Sequence, residues 1–279
     1  MDITGNAFVT GGASGIGKAC CIAFAKEGAL GVLVADINLD AAQKTAADIT
    51  ALASNPDFRA VAVHVDVTLE ESVRNAIKYA VQYFGRIDYS VHCAGIAMLS
   101  YHPTSNAKFD EFKRLLEIHV HGTFLVTSMI LSVMKSQEPK PVSASSPDRG
   151  VSRGVIVSLG SVCSFLTVPN IMQYTTAKHA VLGIIKSAAL ENLSLGIRAN
   201  CVCPTFTDTP MLKQVGQAIP GIDEAAPMSI PMGRLARPEE VSDAVLFLCS
   251  PRSSFITGIT LPIDGGQSLG NLLPPQNDI

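Results

Sequence analysis

The sequence has few charged residues and no cluster of basic ones. Charged side chains make up 16% of its 279 residues, the formal net charge is −3, and the lysines and arginines are scattered along the chain. Proteins that bind nucleic acid usually carry a basic patch or stripe that neutralises phosphates. The composition therefore excludes nucleic acid as an expected partner.

A disulfide framework and membrane-directed segments are missing as well. The seven cysteines are odd in number and lack a framework spacing, which is typical of a protein kept in a reducing compartment. Cys201 and Cys203 would share one face of a strand, where packing is a far commoner role than metal binding. Because no apolar run is long enough to span a membrane and no signal segment precedes the first strand, we expect a cytoplasmic protein without a membrane span or a metal.

Hydrophobic residues, at 47%, are instead abundant, and short apolar runs alternate with helical patterns. Strands are predicted at residues 7–10, 31–36, 59–66, 89–93, 154–159, 197–203 and 259–264. Helices are predicted at residues 18–27, 69–84, 109–134, 174–195 and 238–249. This alternation predicts an α/β fold, a single Rossmann-like doubly wound domain over residues 1–279. Its seven-stranded parallel sheet would be covered by helices on both faces, because apolar strands need that double cover.

The segment after the first predicted strand is rich in glycine. The turn and the helix start contribute Thr10, Gly11, Ser14, Gly15, Ile16 and Gly17. Glycines let the backbone approach a pyrophosphate, and the free N–H groups of a helix start stabilise its charge. The spacing differs from the usual Gly-x-Gly-x-x-Gly fingerprint, and an ordinary glycine turn is the alternative. The strand–turn–helix context nevertheless favours a dinucleotide site.

An acidic residue ends the second predicted strand. Asp36 lies about twenty residues past the glycines, where a carboxylate accepts hydrogen bonds from the adenosine ribose and repels a 2′-phosphate. Ile37 and Asn38 follow it, and Ser14 lies in the turn, so basic residues that would accept the phosphate are missing. The pattern favours NAD over NADP. A simple strand-end or capping role for Asp36 is the alternative.

Tyr174 and Lys178 lie four residues apart in a predicted helix, and Ser161 precedes them after the fifth strand. Positions i and i+4 share one helix face, so the Lys178 ammonium would lie beside the Tyr174 phenol. A phenol ionises near pH 10, and a neighbouring positive charge should lower its pKa. Tyr174 would then exchange a proton with a substrate oxygen to which Ser161 hydrogen-bonds. A surface tyrosine–lysine pair is the alternative, and the cofactor motif argues against it.

In their order along the chain, these motifs resemble those of the classical short-chain dehydrogenase/reductase family, and the resemblance covers nearly the whole sequence. Further matching segments are Asp66-Val67, Ala94-Gly95, Pro204 to Met211, residues 233–240 and Asp264-Gly265-Gly266. The resemblance implies that Asp66 binds the adenine amino group, that Val67 lines the adenine pocket and that Thr209 holds the nicotinamide carboxamide. It also implies that the cofactor is contacted by Ile37, Ala94, Gly95, Tyr174, Lys178, Pro204 and Thr207.

The sequence departs from the family pattern at three places. His92-Cys93 stands where two asparagines usually precede Ala-Gly, and Pro204 is followed by Thr205 in place of glycine. His119 occupies the position of an asparagine that, by resemblance, anchors a water relaying protons to the lysine. Because histidine titrates near neutral pH, His119 would keep the relay with an altered pH profile. Alternatively, it is a space-filling residue and the relay is broken.

By resemblance, a substrate lid runs from about residue 207 to residue 232, a stretch rich in methionine and aliphatic side chains. The lid and the neighbouring loops would supply the substrate pocket with Ile96, Cys163, Phe165, Phe206 and Met211. With no cluster of arginines, the expected substrate is a lipophilic secondary alcohol or ketone, although core packing explains many of the same residues. Residues 135–153, rich in proline and serine, predict a surface insertion similar to those of fungal secondary-metabolism enzymes.

Three functions stay open at this point. The first is NAD-dependent oxidation of a lipophilic secondary alcohol, or the reverse reduction. The second is a non-redox isomerase or cyclase on the same fold, which His92 and His119 keep open. The third is a cofactor-binding regulatory protein, against which the intact set of Ser161, Tyr174 and Lys178 argues. By resemblance, the protein is expected to form a homo-oligomer, either a dimer or a tetramer.

Overall fold

A parallel sheet forms the centre of the protein in the computed structural model, which describes residues 1–143 and 146–270. In chain order its strands are β1 (Asn6–Thr10), β2 (Gly31–Asp36), β3 (Arg59–His64), β4 (Tyr89–His92), β5 (Gly154–Leu159), β6 (Ile197–Pro204) and β7 (Thr260–Ile263). The strand order across the sheet is β3-β2-β1-β4-β5-β6-β7, and every neighbouring pair is parallel. The predicted α/β fold with a seven-stranded parallel sheet is confirmed.

Helices connect the strands along the chain. They are α1 (Gly15–Lys26), α2 (Leu39–Leu52), α3 (Glu70–Phe84), α4 (Phe109–Leu116), α5 (Gly122–Ser136), α6 (Met172–Asn192), α7 (Pro210–Ala218), α8 (Ile222–Met228) and α9 (Pro238–Cys249). A π-helical turn, Glu117–His121, joins α4 to α5, so that residues 109–136 form one continuous helix. Sequence patterns did not predict α2, α7 or α8.

Different helices cover the two faces of the sheet. On one face, Phe24 of α1 and Val245 of α9 pack into the core. On the other face, Ile77 of α3, Ile130 of α5 and Ile185 of α6 are buried. The strands themselves are apolar on both sides, and β1 is buried along its whole length. Burial on both faces explains why the strands appear in the sequence as continuous apolar runs.

The continuous helix of residues 109–136 is long and apolar enough to cross a membrane, judged by length and composition only. A helix that packs against the core of a globular domain passes the same test, so this helix is weak evidence for a membrane span. The mean hydropathy of its most apolar window is 1.4, and 33% of that window is buried. Val126, Ile130 and Met134 point from it into the core beside the sheet. Packing against the sheet thus accounts for the apolar residues on one side of this helix.

The predicted surface insertion, residues 135–153, has some local structure. A short antiparallel pair forms between Lys140–Pro141 and Val151–Ser152. Arg149 donates a hydrogen bond to the carbonyl of Pro251 (3.1 Å), and Arg153 donates to that of Leu195 (2.8 Å). The arginines therefore attach the described part of the insertion to the end of the molecule opposite the carboxyl ends of the strands.

Candidate active site

A cleft of about 1440 Å³ opens at the carboxyl ends of the strands. The terminal residues of four strands face it, namely Thr10, Asp36, Leu159 and Pro204. Ligands of open α/β sheets bind at this edge. The volume exceeds the range of about 300–1,000 Å³ that is usual for one small ligand, and therefore leaves room for a dinucleotide and a second molecule.

The cleft brings together residues from all parts of the predicted site. Those that line it are Thr10, Gly11, Ser14, Gly15, Ile16, Gly17, Asp36, Ile37, Asp66, Val67, Ala94, Gly95, Ile96, His119, Ser161, Cys163, Tyr174, Lys178, Pro204, Phe206, Thr207, Thr209 and Met211. Phe165 does not belong to the lining. Its side chain packs instead against buried residues of the core, because it follows a 3₁₀ turn, Val162–Ser164, that directs it inward.

The glycine turn allows backbone segments to lie closer together than a side chain would permit. Gly11 has a φ of +66°, and a Cβ atom there would lie 2.8 Å from the backbone nitrogen of Ala94. A Cβ atom on Gly17 would lie only 2.1 Å from the carbonyl oxygen of Gly11. Helix α1 starts directly in this turn, at Gly15, so its first N–H groups face the cleft. The turn therefore fits a pyrophosphate group.

Asp36 is fixed in place by two backbone N–H groups. Its Oδ2 accepts a hydrogen bond from Ala13 of the glycine turn (3.0 Å), and its Oδ1 accepts one from Asn38 (2.9 Å). Lys18, the basic residue nearest in sequence to the turn, is paired with Asp48 on α2 at 2.9 Å. The carboxylate thus faces the cleft from a rigid position, while the nearby positive charge is directed elsewhere.

The expected adenine side of the cleft is formed by Asp66 and Val67. Oδ1 of Asp66 accepts hydrogen bonds from the backbone N–H (2.9 Å) and the hydroxyl (2.7 Å) of Thr68. Val67 packs tightly against α5, because a Cβ atom on Gly122 would lie 2.9 Å from its Cγ2. These contacts order both residues at the end of β3, where the resemblance places the adenine.

Thr209 lies against the glycine turn. A Cβ atom on Gly15 would lie 3.3 Å from its Cγ2, and its hydroxyl accepts a hydrogen bond from the Leu212 N–H at the start of α7 (3.4 Å). The residue therefore closes the cleft above the turn and anchors the lid. The contact of Thr209 with a nicotinamide carboxamide, which the resemblance implies, stays a prediction.

Tyr174, Lys178 and Ser161 meet in the middle of the cleft. The Lys178 ammonium donates a hydrogen bond to the Leu159 carbonyl (3.0 Å) and lies 5.7 Å from the centre of the Tyr174 ring. Ser161 is held at the start of a 3₁₀ turn, where its hydroxyl accepts a hydrogen bond from the Cys163 N–H (3.2 Å). Its hydroxyl also interacts with the Tyr174 phenol. The spacing of the sequence motif is thus realised as one cluster.

The structure does not show the expected lowering of the Tyr174 pKa by Lys178. Burial raises the pKa of Tyr174, the nearby Cys163 thiol raises it further, and the hydrogen bond with Ser161 opposes both. Burial also lowers the pKa of Lys178 itself. The expectation of a lowered phenol pKa is therefore wrong, because removal of both groups from water disfavours their charged forms. The phenol is protonated and is ready to donate to an oxygen.

His119 lies in the π-helical turn and contacts the predicted acid–base tyrosine. The two rings meet edge to face with centres 5.6 Å apart, and His119 Nε2 lies 2.9 Å from the carbonyl oxygen of Ile96. Burial lowers the pKa of His119 well below its usual value, and the charge of Lys178 lowers it further. The expectation that His119 titrates near neutral pH is therefore wrong. It is a neutral imidazole at physiological pH.

The second unusual histidine, His92, supports the cofactor side of the cleft. Its Nδ1 lies 2.8 Å from the hydroxyl oxygen of Thr10, which in turn accepts a hydrogen bond from the Ala94 N–H (3.3 Å). Burial, followed by the charge of Lys178, lowers the pKa of His92 to about 3. The imidazole therefore joins the ends of β1 and β4 as a neutral group.

The buried neutral state of His92 predicts a loss of stability in mild acid. Its folded-state pKa lies below the ordinary value of about 6.5, so the unfolded chain binds the extra proton between these two values. The contribution is complete above the unfolded pKa and is lost as the pH falls towards the folded pKa. Between pH 7 and pH 5 we expect His92 to remove about 2 kcal/mol from the free energy of unfolding. Urea unfolding at both pH values measures this loss. The free energy of unfolding should fall less in His92→Asn than in the wild type, by about 2 kcal/mol. An equal drop in both proteins would contradict the neutral buried state.

Some residues of the cleft were not predicted as site residues. The loops after β4 and β5 contribute Tyr101, Leu166, Thr167, Val168 and Ile171, and the end of the described chain contributes Gln267 and Gly270. Only their position in the sequence could have indicated a role in the site, because they follow strands whose carboxyl ends form it. In the lid, Val215, Ile219 and Met228 line the cleft, whereas Ile230 is buried and Met232 lies 70% exposed outside it.

Comparison with known proteins identifies the family. The model of a family described as enoyl-(acyl carrier protein) reductase matches residues 11–268. The short-chain dehydrogenase fogB of Aspergillus ruber (strain CBS 135680) is 51% identical over 269 residues, which are 96% of this chain and 98% of that protein. The crystal structure of levodione reductase superposes with a TM-score of 0.85 at 29% identity and covers 96% of this chain and 100% of its own. A 3-ketoacyl-(acyl-carrier-protein) reductase from Brucella melitensis, complexed with NADH, gives 0.80 at 30% identity over 95% and 99% of the chains.

Together, the doubly wound sheet, the glycine turn and the cleft define an oxidoreductase that uses a nicotinamide cofactor, NAD or NADP. The chain belongs to the short-chain dehydrogenase/reductase family, which confirms the resemblance deduced from the sequence motifs.

Proposed function

We propose that this protein is an NAD-dependent oxidoreductase that oxidises a lipophilic secondary alcohol to a ketone, or catalyses the reverse reduction. The observation that carries the proposal is the cluster of Ser161, Tyr174 and Lys178 in the same cleft as the glycine turn. The cofactor, when bound, accepts the hydride from the alcohol carbon or returns it to the ketone. A protein that only binds a dinucleotide has no need for the three polar side chains.

The protein's own residues handle the proton and the substrate oxygen. Ser161 and Tyr174 hold that oxygen by hydrogen bonds, and Tyr174 donates its proton to a ketone or takes one from an alcohol. Lys178 provides the positive charge near the phenol, and this charge favours the phenolate that forms when Tyr174 gives up its proton. His119, beside Tyr174, supports the proton path as a neutral imidazole.

Support for NAD rather than NADP comes from Asp36. Its carboxylate is held at the end of β2 by Ala13 and Asn38, and Ile37 beside it is an apolar, 65% exposed residue. A 2′-phosphate at this point would meet a negative charge without a compensating cation, because Lys18 is paired with Asp48. A ribose with free hydroxyls suits the carboxylate better.

Support for a lipophilic substrate comes from the lid and the loops around Tyr174. The substrate side of the cleft is lined by Met98, Leu166, Ile171, Met211 and Val215. Such side chains favour an irregular apolar molecule over a small charged hydroxy acid. The fungal origin of fogB, at 51% identity, supports a place in fungal secondary metabolism.

The remaining features of the proposal concern the state of the protein. We place it in the cytoplasm, because all seven cysteines are free and six of them are buried. Residues 1–279 would form a single domain with a lid at about 207–232, and two or four copies would assemble through exposed helix faces. Phe109 and Phe124 on the continuous helix and Leu190 on α6 are exposed apolar residues suited to such contacts.

The deciding experiment measures NADH formation from NAD and a panel of lipophilic secondary alcohols. We expect an increase in absorbance at the NADH band that depends on both the alcohol and NAD. If NADH binds and a ligand is rearranged with no net change in the cofactor, the protein is instead an isomerase or cyclase. If NADH binds and every ligand is returned unchanged, the catalytic proposal fails in favour of a regulatory protein.

The neutral state of His119 gives a second prediction for turnover. Replacement by alanine removes the hydrogen bond to Ile96 and the edge contact to Tyr174, and we expect kcat to fall at least about tenfold. His119→Asn retains an amide that can hydrogen-bond, so kcat should stay within about threefold of the wild-type value. The pH profile of kcat should be the same with histidine and asparagine. If the pH profile of the wild type showed an ionisation near pH 6.5 that His119→Asn lacked, the neutral imidazole would be contradicted.

A further inference from the structure

One half-buried carboxylate outside the predicted site accepts an unusual number of hydrogen bonds. Glu111 of α4 accepts from the backbone N–H groups of Leu99 and Ser100, the latter at 3.0 Å. It also accepts from the hydroxyl of Ser100 and from Nε2 of Gln173, the latter at 3.4 Å. Hydrogen bonds to a charged acceptor are stronger than neutral ones. We call Glu111, Ser100 and Gln173 the Glu111 clamp.

The clamp holds one end of a cleft wall. Ile96, Ala97, Met98 and Tyr101 of the loop after β4 line the cleft, whereas Glu111 does not. The other end of this wall is attached to His119, whose Nε2 lies 2.9 Å from the Ile96 carbonyl oxygen. Because the wall is attached at both ends, its conformational freedom is restricted. Its distance from Tyr174 is therefore set by His119 at one end and, at the other, by the Glu111 clamp, whose carboxylate lies outside the cleft lining.

Gln173 connects the clamp directly to the helix that carries the predicted acid–base residue. It is 1% exposed, it precedes Tyr174 in α6, and its Nε2 also donates to the Ser100 carbonyl (3.1 Å). The carboxylate of Glu111 thus joins three separate parts of the chain, namely α4, the wall and the start of α6. Rigid attachment of this kind is what places groups accurately in a site.

We propose that the Glu111 clamp determines substrate specificity by fixing the wall of residues 96–101 at a set distance from Tyr174. This inference rests on the proposed function. A bulky ring alcohol reaches the wall and gains apolar contacts with Ile96 and Met98, whereas a compact one bound at Tyr174 does not reach it. Glu111, Ser100 and Gln173 are accordingly positioning residues. Loss of the clamp affects binding of the bulky substrate and leaves the proton transfer step in place.

The first test replaces Glu111 by glutamine, which preserves the size of the side chain but exchanges one acceptor oxygen for a donor. For 1-tetralol as the bulky probe, we expect KM to rise about tenfold with kcat within about threefold of wild type. For cyclohexanol as the compact probe, KM should change less than about twofold. Asp110→Asn is the matched control, because Asp110 is 95% exposed on the same turn and pairs only with Lys113 among the contacts described. It should leave both alcohols unaffected.

The second variant, Gln173→Met, separates the clamp from a general loss of folding. It removes the Nε2 donor and also the Gln173 Oε1 atom, which is buried without a partner in the described part of the chain. The thermal midpoint should therefore change little. The ratio of kcat/KM for 1-tetralol over cyclohexanol should fall in the same direction as in Glu111→Gln. An unchanged ratio in both folded variants would overturn the proposal.

Two further measurements do not depend on turnover, so they test the clamp independently of the proposed reaction. Hydrogen exchange at the Leu99 and Ser100 amides should be at least about tenfold faster in Glu111→Gln and unchanged in Asp110→Asn. Calorimetry gives the affinities of the NADH complex for 1-tetralone and cyclohexanone. The ratio of these two affinities should fall in the variants as the ratio of kcat/KM does. If wild type oxidises no alcohol yet these measurements behave as expected, the proposed reaction fails and the clamp stands. Equal exchange in wild type and Glu111→Gln would overturn the clamp.

Discussion

Replacing Tyr174 by phenylalanine is expected to lower kcat/KM for alcohol oxidation about 10³-fold, the usual scale for loss of a general acid–base group. The substitution removes the phenol hydroxyl that interacts with Ser161, and with it the proposed proton donor and acceptor. The ring remains, so its edge contact with His119 is preserved. Steady-state rates of NADH formation at saturating NAD measure the effect.

The same variant should still bind the cofactor, because the glycine turn and Asp36 are untouched. NADH affinity within about threefold of wild type would show that the cleft is intact. Tyr79→Phe is the control, since Tyr79 lies on α3, stacked on Tyr83, and lines no part of the large cleft. It should leave the rate unchanged. Turnover of Tyr174→Phe near the wild-type rate would contradict the role of the phenol and shift attention to His119.

Strands such as β2 and β5 could be predicted from sequence because they are buried along nearly their whole length and are apolar on both faces. Burial between two layers of helices leaves a continuous apolar run, which can be recognised without knowing the neighbouring elements. For this reason the predicted limits of β2 agree with those in the structure. Helix α2 was missed although Asn38 caps it, because alanines and threonine form much of its buried face and give a weak apolar pattern. The lid helices α7 and α8 are short, and their period is therefore hard to recognise.

The assembly of the cleft was predictable, whereas its electrostatics were not. Motif order places the glycine turn, Asp36 and Tyr174 at the carboxyl ends of parallel strands, and topology then brings them together. Burial is the main cause of the pKa shifts of both Tyr174 and His119, and the charge of Lys178 adds to the shift of His119 alone. Both causes arise from tertiary packing. The sequence shows the i, i+4 spacing of tyrosine and lysine but contains no direct signal for desolvation.

The Glu111 clamp shows a third limit of sequence reasoning. Glu111 is an acidic residue in the first turn of α4, a position where acidic residues commonly serve the helix dipole. Its contacts with Ser100 and Gln173 join residues 11 and 62 positions apart in sequence. Such contacts can be found only once the fold is known. Residues that shape specificity without touching a substrate therefore escape motif analysis.

Replacing Asp36 by alanine is expected to reduce the preference for NAD over NADP, expressed as a ratio of kcat/KM, about 10³-fold. Each carboxylate oxygen already accepts one N–H, from Ala13 or Asn38, and retains a lone pair for a ribose hydroxyl. Two hydrogen bonds to a charged acceptor at about 2 kcal/mol each correspond to a factor of this size. Removal of the negative charge also ends the repulsion of a 2′-phosphate. Initial rates with varied NAD and NADP at a fixed alcohol concentration give the ratio.

Asp36→Asn separates the two causes, because it removes the charge and keeps an acceptor oxygen. We expect it to recover part of the NAD affinity that Asp36→Ala loses, while both variants accept NADP better than wild type. Asp40→Asn, an exposed acidic residue on α2 outside the cleft, controls for a general change in charge and should leave the ratio unchanged. If Asp36→Ala kept the NAD preference, the carboxylate would serve only to order the glycine turn through Ala13. Cofactor choice would then depend on the shape of the cleft beside Ile37, because an ordered turn by itself binds the pyrophosphate that both cofactors share.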